Sequence, residues 1–272
     1  PDSFGPEFAF PFLAACWGAP LERIPDFPVY SLLKGMPHGS KPGFYEIDGG
    51  MGRYVRALGE QLTRVDVRLG AGVATIKRRS KFLVRDYRLE QQTVDRLILA
   101  TPSFDATELV DGIPELADLR AAVGSFRLFD VEIALHGDPS FMPARRADWG
   151  HHNLFFERDV AWMTDWQGAE SGAPVFRTWM PRGRELPRPL YAHRRFRHVL
   201  MTPWNAILQR RIAALQGRAG VWVTGMYAVD VDNHESALLS ALVPVLALSP
   251  RAPNLLRLSA ALPPDAPHDL GV

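Results

Sequence analysis

Cysteine is almost absent from this sequence, and that scarcity limits the kinds of site it can build. Cys16 is the only cysteine among the 272 residues, so no disulfide can form within the chain and no zinc site can be made of cysteines alone. A chain without disulfides is compatible with a reducing compartment, and we expect a cytoplasmic location. Lysine is scarce as well, so nearly all of the positive charge is carried by arginine. The lysines are Lys34, Lys41, Lys77 and Lys81.

An excess of charge and a long apolar run are also missing. The formal net charge is only +1 at pH 7, which gives no overall field that would attract nucleic acid. The apolar stretch from Phe8 to Trp17 contains Pro11 and is far shorter than the roughly 20 residues that cross a bilayer. It also lacks the basic lead and the cleavage pattern of a signal peptide. We therefore expect neither a nucleic-acid partner nor a membrane partner.

A further absence concerns glycine. No Gly-x-Gly-x-x-Gly occurs in the sequence, so it lacks the turn with which a strand–turn–helix unit usually binds the pyrophosphate of a dinucleotide. Residues 1–48 are rich in proline and aromatic residues and contain no equivalent of that unit. Their apolar spacing predicts a cap of short helices instead.

The patterns that are present predict an α/β protein of α+β character. The glycines of 49–52 open a helix, and its apolar stripe comprises Tyr54, Val55, Leu58 and Leu62. Further helices are predicted at 103–110, 114–123, 204–215 and 235–248, with Ser103 as the cap of the first. Strands are predicted at 65–69, 72–76, 82–87, 94–100, 125–135, 153–156, 160–164, 175–179 and 221–224. Seven arginines or histidines among prolines are typical of a solvated connector at 182–197.

The most informative segment lies near the C-terminus. Residues 221–224 have the composition of a buried strand, Gly225 permits a close turn, and an apolar helix follows from about His234. The first turn of such a helix offers N–H groups and the positive end of the helix dipole to an anion. An ordinary strand–turn–helix connection has the same pattern, so both interpretations stay open.

Three segments in this order resemble the flavin-containing amine oxidase superfamily, and more closely its bacterial FAD/NAD(P)-binding amine-oxidase-like group. The first is the glycine-led helix of residues 46–62. The second comprises residues 67–77 and 95–102, and the third is residues 209–246 with the Gly225 turn. The resemblance implies part of an FAD-binding domain at 49–110 and 200–248 and a substrate-binding domain with an antiparallel sheet at 111–199. Residues 1–48 would form a helical cap segment and 249–272 a loose tail.

The resemblance implies FAD as the cofactor, bound largely by backbone groups. At Val73 the peptide N–H and C=O would read the adenine; alternatively Val73 is simply a strand residue of the core. Gly225 and Met226 would lie at the closing turn, and Asn233, His234 and Glu235 at the start of the following helix. Asp232 and Ser236 stand where the superfamily favours glycine.

Candidate residues for the substrate come from the predicted antiparallel sheet. Trp162 and Trp179 are candidates to line a pocket, although packing inside the sheet is the alternative for both. Arg197 is a candidate for binding a substrate carboxylate, because arginine pairs with carboxylates through two parallel hydrogen bonds. No catalytic lysine is assigned. The adjacent His151 and His152 would point to opposite faces of a strand, so we predict no metal site.

Two functions remain in competition after these observations. The first is an FAD-dependent oxidoreductase that transfers hydride from a small-molecule substrate to flavin, with this chain as a fragment or an incomplete enzyme. The second is a non-catalytic relative that acts as a binding or interaction module. A third interpretation is that an apolar sheet face is exposed and that a second chain or a second copy covers it.

Overall fold

The chain divides into two units, each assembled from two separate stretches of sequence. The computed structural model describes residues 3–31, 47–229, 231, 233–255 and 257. The first unit consists of Pro1–Leu32 with Ser125–Gln209, and the second of Leu33–Gly124 with Arg210–Val272. Asp232 and most of the predicted tail at 249–272 lie outside the described residues.

Helices and strands are mixed along the chain, which confirms the predicted α/β class. The helices are α1 Phe10–Trp17, α2 Gly50–Glu60, α3 Ser103–Leu109, α4 Ala117–Gly124, α5 Trp204–Ala213 and α6 His234–Leu248. The strands are β1 Val73–Arg78, β2 Phe82–Asp86, β3 Gln91–Val94, β4 Leu97–Leu99, β5 Leu128–His136, β6 His152–Glu157, β7 Val160–Trp166, β8 Phe176–Trp179, β9 Leu190–Val199 and β10 Val221–Val223. Within the described ranges, no helix is both long enough and apolar enough to pass through a bilayer.

The first unit is built on an antiparallel sheet of five strands in the order β6-β7-β8-β5-β9. The sequence predicted an antiparallel sheet in this region, but only the strands that correspond to β5, β6, β7 and β8. Because side chains alternate along each strand, the sheet has two distinct faces. One face, with Phe129 and Val131, packs against α1 and the 3-10 turn Leu21–Asp26. The buried residues of this core are Leu13, Ala14, Ala19, Ile24, Phe27, Phe129, Val131, Leu200 and Met201.

The C-terminal part of the predicted solvated connector at 182–197 instead belongs to β9, which at residues 190–199 is the longest strand of this sheet. β9 pairs along its whole length with β5, so Arg195 lies opposite Glu132 and Arg197 opposite Asp130. The strand lies at the sheet edge and most of its residues are exposed, which explains why it lacks the apolar alternation that normally reveals a strand. Its cross-strand charge pairs take the place of apolar contacts.

The opposite face of the sheet buries a short chain of polar side chains. The backbone N–H of Asp138 donates to Nδ1 of His136 over 3.1 Å. Nε2 of His136 lies 2.8 Å from the hydroxyl of Thr178, which lies 2.8 Å from that of Thr164. Since Nδ1 accepts, Nε2 carries the ring proton and donates to Thr178. Burial lowers the pKa of His136 to about 4, so the ring is neutral at pH 7.

The second unit contains two small sheets. β1, β2 and β3 form an antiparallel meander, in which β1 and β2 correspond to the strands predicted at 72–76 and 82–87. β4 and β10 form a two-stranded parallel sheet, although about 120 residues separate them in the sequence. Val221 and Val223 on β10 are fully buried, and Leu99 on β4 is nearly so. α3 follows directly from β4; Ser103 is its first residue rather than its cap, which corrects the prediction, because the preceding Pro102 takes the cap position.

The stretch 65–69 was predicted to be a strand and is not one. Val65, Val67 and Leu69 alternate as a strand would, but all three are more than half exposed. A strand is stabilised by its ladder of hydrogen bonds and by burial of one face, and among the described residues none pairs with this stretch. The apolar stripe of α2 is exposed in the same way, with Val55 61% and Leu58 51% exposed.

Gly18 is a position where we expect a single methyl group to destabilise the first unit. It ends α1 with φ +61°, and a Cβ atom there would lie 2.4 Å from Cε3 of Trp179. Gly18→Ala should therefore lower the free energy of unfolding by roughly 2–4 kcal/mol, from the left-handed backbone and the clash together. Gly183→Ala is the matched control, because Gly183 has φ +76° and no atom within 4 Å of the added Cβ. Urea denaturation should show that the control loses only about 1 kcal/mol of its free energy of unfolding. An equal loss of that free energy in both variants would contradict the packing argument.

His136 predicts a dependence of stability on pH. The unfolded chain protonates this histidine below about pH 6.5, whereas the folded chain does so only near pH 4. The unfolded state therefore binds more protons between these values, and the free energy of unfolding should fall by about 1–3 kcal/mol as the pH is lowered through the window. Urea denaturation from pH 7 to pH 4.5 measures this. His136→Gln should flatten the profile in that range, and an unchanged slope in this variant would contradict the assignment to His136.

Candidate functional site

The strand-to-helix turn predicted near the C-terminus is present and depends on glycine at one position. Gly225 follows β10 with φ +139°, and an added Cβ would lie 3.0 Å from the ring of Tyr227. The N–H of Gly225 donates to the hydroxyl of Ser240 over 2.8 Å, and that hydroxyl donates to the carbonyl of Ala237. Buried Ser240 thus ties the turn to α6, and Gly225 has no side chain of its own to keep another group from its backbone.

The first turn of α6 is exposed and is capped by a side chain. Oδ1 of Asn233 accepts hydrogen bonds from the N–H and the hydroxyl of Ser236, at 2.8 and 3.1 Å. The N–H groups of His234 and Glu235 have no partner within the helix, since they belong to its first turn. The ring of His234 meets the ring of Tyr54 edge-on at 5.9 Å, so α2 and α6 touch at this end.

The turn lies at the carboxyl end of the two parallel strands. The N–H of Thr224 donates to the carbonyl of Leu99 over 2.9 Å and extends the pairing of β10 with β4 by one step. The hydroxyl of Thr101, two residues beyond β4, is buried and has no hydrogen-bond partner among the described residues. In open α/β sheets, ligands bind at this edge, outside the carboxyl ends of parallel strands. Sequence reasoning missed Thr101, whose only signal was its position just after a predicted strand.

The other edge of β10 is occupied by a side chain. Gln216 donates through Nε2 to the carbonyl of Val223 over 2.7 Å and accepts at Oε1 from the N–H of Val223 over 3.0 Å. The amide group thus replaces a neighbouring strand at this point. Any strand that extends the parallel sheet beside Val223 must therefore add on the β4 side.

Met226 and Tyr227, which follow the turn glycine, differ in exposure. Met226 is 38% exposed, whereas Tyr227 is buried with its ring beneath Gly225. Burial raises the pKa of the Tyr227 hydroxyl, so the group is protonated at neutral pH. Tyr227 therefore acts as a neutral support for the turn.

Val73 is not brought next to this turn by any contact among the described residues. It lies at the start of β1, an edge strand of the meander, and is 36% exposed. A bulge separates Val73 from Thr75 in the pairing with β2. One side of the β1 backbone therefore faces no other described strand, which is the geometry that backbone recognition of a base requires.

The three residues predicted to bind substrate lie in the first unit but do not share one surface. The register places Trp162 and Arg197 on the sheet face that carries Thr164 and Thr178, because all of them occupy alternate positions in paired strands. Trp179 lies on the opposite face and packs against the core beneath α1. Its role in binding substrate stays a prediction, and the structure gives it a packing role.

His152 takes part in an ion-pair ladder across three strands. Its Nδ1 lies 2.7 Å from Oδ1 of Asp165, and Arg177 donates through Nε to the other oxygen of that carboxylate at 2.8 Å. The carboxylate of Asp165 is 1% exposed, so its charge is compensated locally. Throughout the described part of the chain, no three His, Cys, Asp or Glu side chains gather as metal ligands.

Comparison with known proteins identifies the fold. No family model and no curated protein matches the sequence. Among solved structures, the chain is similar to UDP-galactopyranose mutase in its reduced form, with TM-score 0.55, 14% identity, and coverage of 92% of this chain and 66% of that one. It is also similar to a protein assigned as a protoporphyrinogen oxidase from Exiguobacterium, with TM-score 0.51, 15% identity, and coverage of 90% and 59%.

A third similar structure is a variant of putrescine oxidase with redesigned cofactor binding, with TM-score 0.53, 12% identity, and coverage of 75% of this chain and 53% of that one. At these identities the comparisons show the fold, and they confirm the resemblance to amine-oxidase-like flavoproteins at that level. The chain spans between about half and two thirds of the length of these proteins.

The cap of α6 gives a direct test of how the turn is built. Asn233→Ala removes the acceptor for the Ser236 N–H and should lower the free energy of unfolding by about 1 kcal/mol. Asn233→Asp keeps an oxygen at the same position and should retain most of that stability. Thermal and urea unfolding of the two variants measure the difference; an equal loss in both would show that Asn233 does not act as a cap.

Proposed function

We propose that this chain is part of an FAD-dependent oxidoreductase of the amine-oxidase-like group, which transfers hydride from a small-molecule substrate to flavin. The observation that carries the proposal is the glycine turn between β10 and α6, next to the carboxyl end of β4. The likeness in fold to UDP-galactopyranose mutase and putrescine oxidase supports it. A cytoplasmic location remains part of the proposal.

The residues around the Gly225 turn offer hydrogen-bonding groups that could contact one edge of a bound dinucleotide. Gly225 has no side chain to keep a cofactor from its backbone, the first turn of α6 presents the N–H groups of His234 and Glu235, and the buried hydroxyl of Thr101 needs a partner. These residues would hold the cofactor at the carboxyl edge of the parallel pair, and Val73 would offer its backbone to the adenine. The pyrophosphate turn is absent from the sequence, so these residues close over a cofactor rather than anchor its phosphates.

When bound, the flavin supplies the redox chemistry by accepting a hydride. The protein must then orient the substrate and exclude water from it. In the first unit, the sheet face with Trp162 and Arg197 combines apolar surface with positive charge and is the surface that we assign to the substrate. His136 is neutral at pH 7, so its ring has a single N–H, and that N–H already donates to Thr178. The histidine therefore holds the buried threonine hydroxyls in position and has no further proton to give to a substrate.

An interaction module is the second candidate, and one observation favours it. The apolar stripe of α2 and the alternating residues Val65 and Val67 are exposed in the second unit. Together they form an unusually apolar surface for a protein in water, and such surfaces mark protein–protein contacts. A non-catalytic relative could retain the fold and use this surface to bind a second chain or a second copy.

Retention of FAD separates the two candidates. We expect the purified chain, incubated with FAD and freed of unbound cofactor by gel filtration, to keep the visible absorption bands of flavin. Gly225→Ala should reduce the retained flavin by roughly tenfold or more, because the added methyl group presses on Tyr227 and stiffens the turn. Gly112→Ala is the matched control: Gly112 has φ +78° and no atom within 4 Å of the added Cβ.

A colourless wild-type protein would show that this polypeptide is not by itself a flavoprotein, and the interaction module would then be the better account. Equal flavin retention in the two variants would show that the Gly225 turn takes no part in binding. Thermal unfolding of each variant distinguishes a lost site from a lost fold.

A further inference from the structure

One buried donor on the substrate-side sheet face lacks a partner. The indole N–H of Trp162 is buried, the residue as a whole is 6% exposed, and no described acceptor lies within hydrogen-bond distance. Two other tryptophans of the same unit are satisfied: Trp149 donates to the carbonyl of Pro143 over 2.8 Å and Trp166 to that of Ala173 over 2.7 Å. The Trp179 indole, on the opposite face of the sheet, also lacks a described partner. Buried donors in folded proteins are nearly always paired, so an unpaired one indicates an acceptor that arrives from outside the chain.

A cation covers the same indole ring. The guanidinium carbon of Arg184 lies 5.3 Å from the centroid of the Trp162 ring and 4.1 Å from that of Phe141. On the sheet, Phe155 stacks on Trp162 with centroids 5.0 Å apart and the planes 10° from parallel. The Trp162 ring therefore has an aromatic neighbour on the sheet and a positive charge close to its centroid.

Arg184 is available to a ligand. Its side chain is exposed, and among the described residues it donates one hydrogen bond, from Nη2 to the carbonyl of Ser140 over 3.1 Å. Among the described residues no acidic side chain forms an ion pair with Arg184. Arg195, by contrast, is compensated, since it forms an ion pair with Glu132. A guanidinium has five N–H donors and no acceptor, so most of the donors of Arg184 remain for an anion.

We propose that Trp162 and Arg184, flanked by Phe155 and Phe141, bind the carboxylate of an organic anion with an apolar, preferably aromatic, body. The carboxylate accepts from the guanidinium of Arg184 and from the indole N–H of Trp162. The aromatic rings contact the apolar body. Arg184 lies on an exposed segment and acts as the movable cover through which the ligand reaches the indole. This site deepens the proposed function, because it names the substrate class as an organic anion. That identification rests on the proposed function; the binding of the anion does not.

The indole N–H signals of the full chain provide the test. The sequence has seven tryptophans, and Trp162→Phe and Trp179→Phe identify two of their signals in a ¹H–¹⁵N spectrum. Titration with phenylacetate at constant ionic strength should shift the Trp162 signal downfield and saturate. Arg184→Gln should weaken the apparent Kd roughly tenfold or more, since a hydrogen bond to a charged group is lost. Phenethylamine, which has the same ring and the opposite charge, should leave the signal in place.

Two controls make the result specific. Arg182→Gln removes an exposed arginine two residues away and should leave the Kd unchanged. The Trp179 indole also lacks a described partner but lies on the opposite face beneath α1, so its signal should not move. A Trp162 shift that fails to saturate, that Trp179 shares, or that persists unchanged in Arg184→Gln would overturn the proposal. Flavin retention involves neither Trp162 nor Arg184, so each of the two proposals can fail alone.

Discussion

The pairing of β4 with β10 is the interaction on which the second unit depends. Leu97–Leu99 and Val221–Val223 are joined in parallel across about 120 residues of intervening sequence. A pairing of that separation is entropically expensive to close, and the burial of Val221, Val223 and Leu99 offsets the loss. Since parallel strands end at the same edge, the pairing places the segments that contain Thr101 and Gly225 at one edge of the sheet. Gln216 then bonds to the edge of β10 that faces away from β4, and Ser240 holds the turn at Gly225.

Most helices and strands were predictable because their apolar residues follow a period of 3.6 or 2. The helix at 50–60, the meander, and the strands β5 to β8 all have such a period. The turn at Gly225 was predictable because a glycine stands between a buried strand and an apolar helix. β9 could not be predicted from its own residues, since Arg194, Arg195 and Arg197 are placed there by pairing with β5 and not by burial. The opposite error at 65–69 has the same cause: alternation shows that a stretch suits a strand, but a strand also requires a partner.

The candidate site was less predictable than the fold. The sequence indicated the turn glycine and the start of α6, because glycine and helix-start patterns are local. It did not indicate Thr101, Ser240 or Gln216, whose roles depend on contacts between distant segments. The same limit applies in the first unit. The sequence indicated Trp162 as a candidate but not Arg184, because the cation–π contact is formed by a loop about 20 residues away.

The hydrogen bonds of the turn define what it can offer to a cofactor. The N–H groups of Gly225 and Ser236 are already bonded within the protein, to Ser240 and Asn233. The groups that remain, at His234 and Glu235, lie in a helix turn where the carboxylate of Glu235 already interacts favourably with the helix dipole. A phosphate placed there would meet that negative charge. The turn therefore fixes how closely a flat cofactor can approach the sheet edge, while compensation of the phosphate charge has to come from a separate glycine-rich turn of the kind that this sequence lacks.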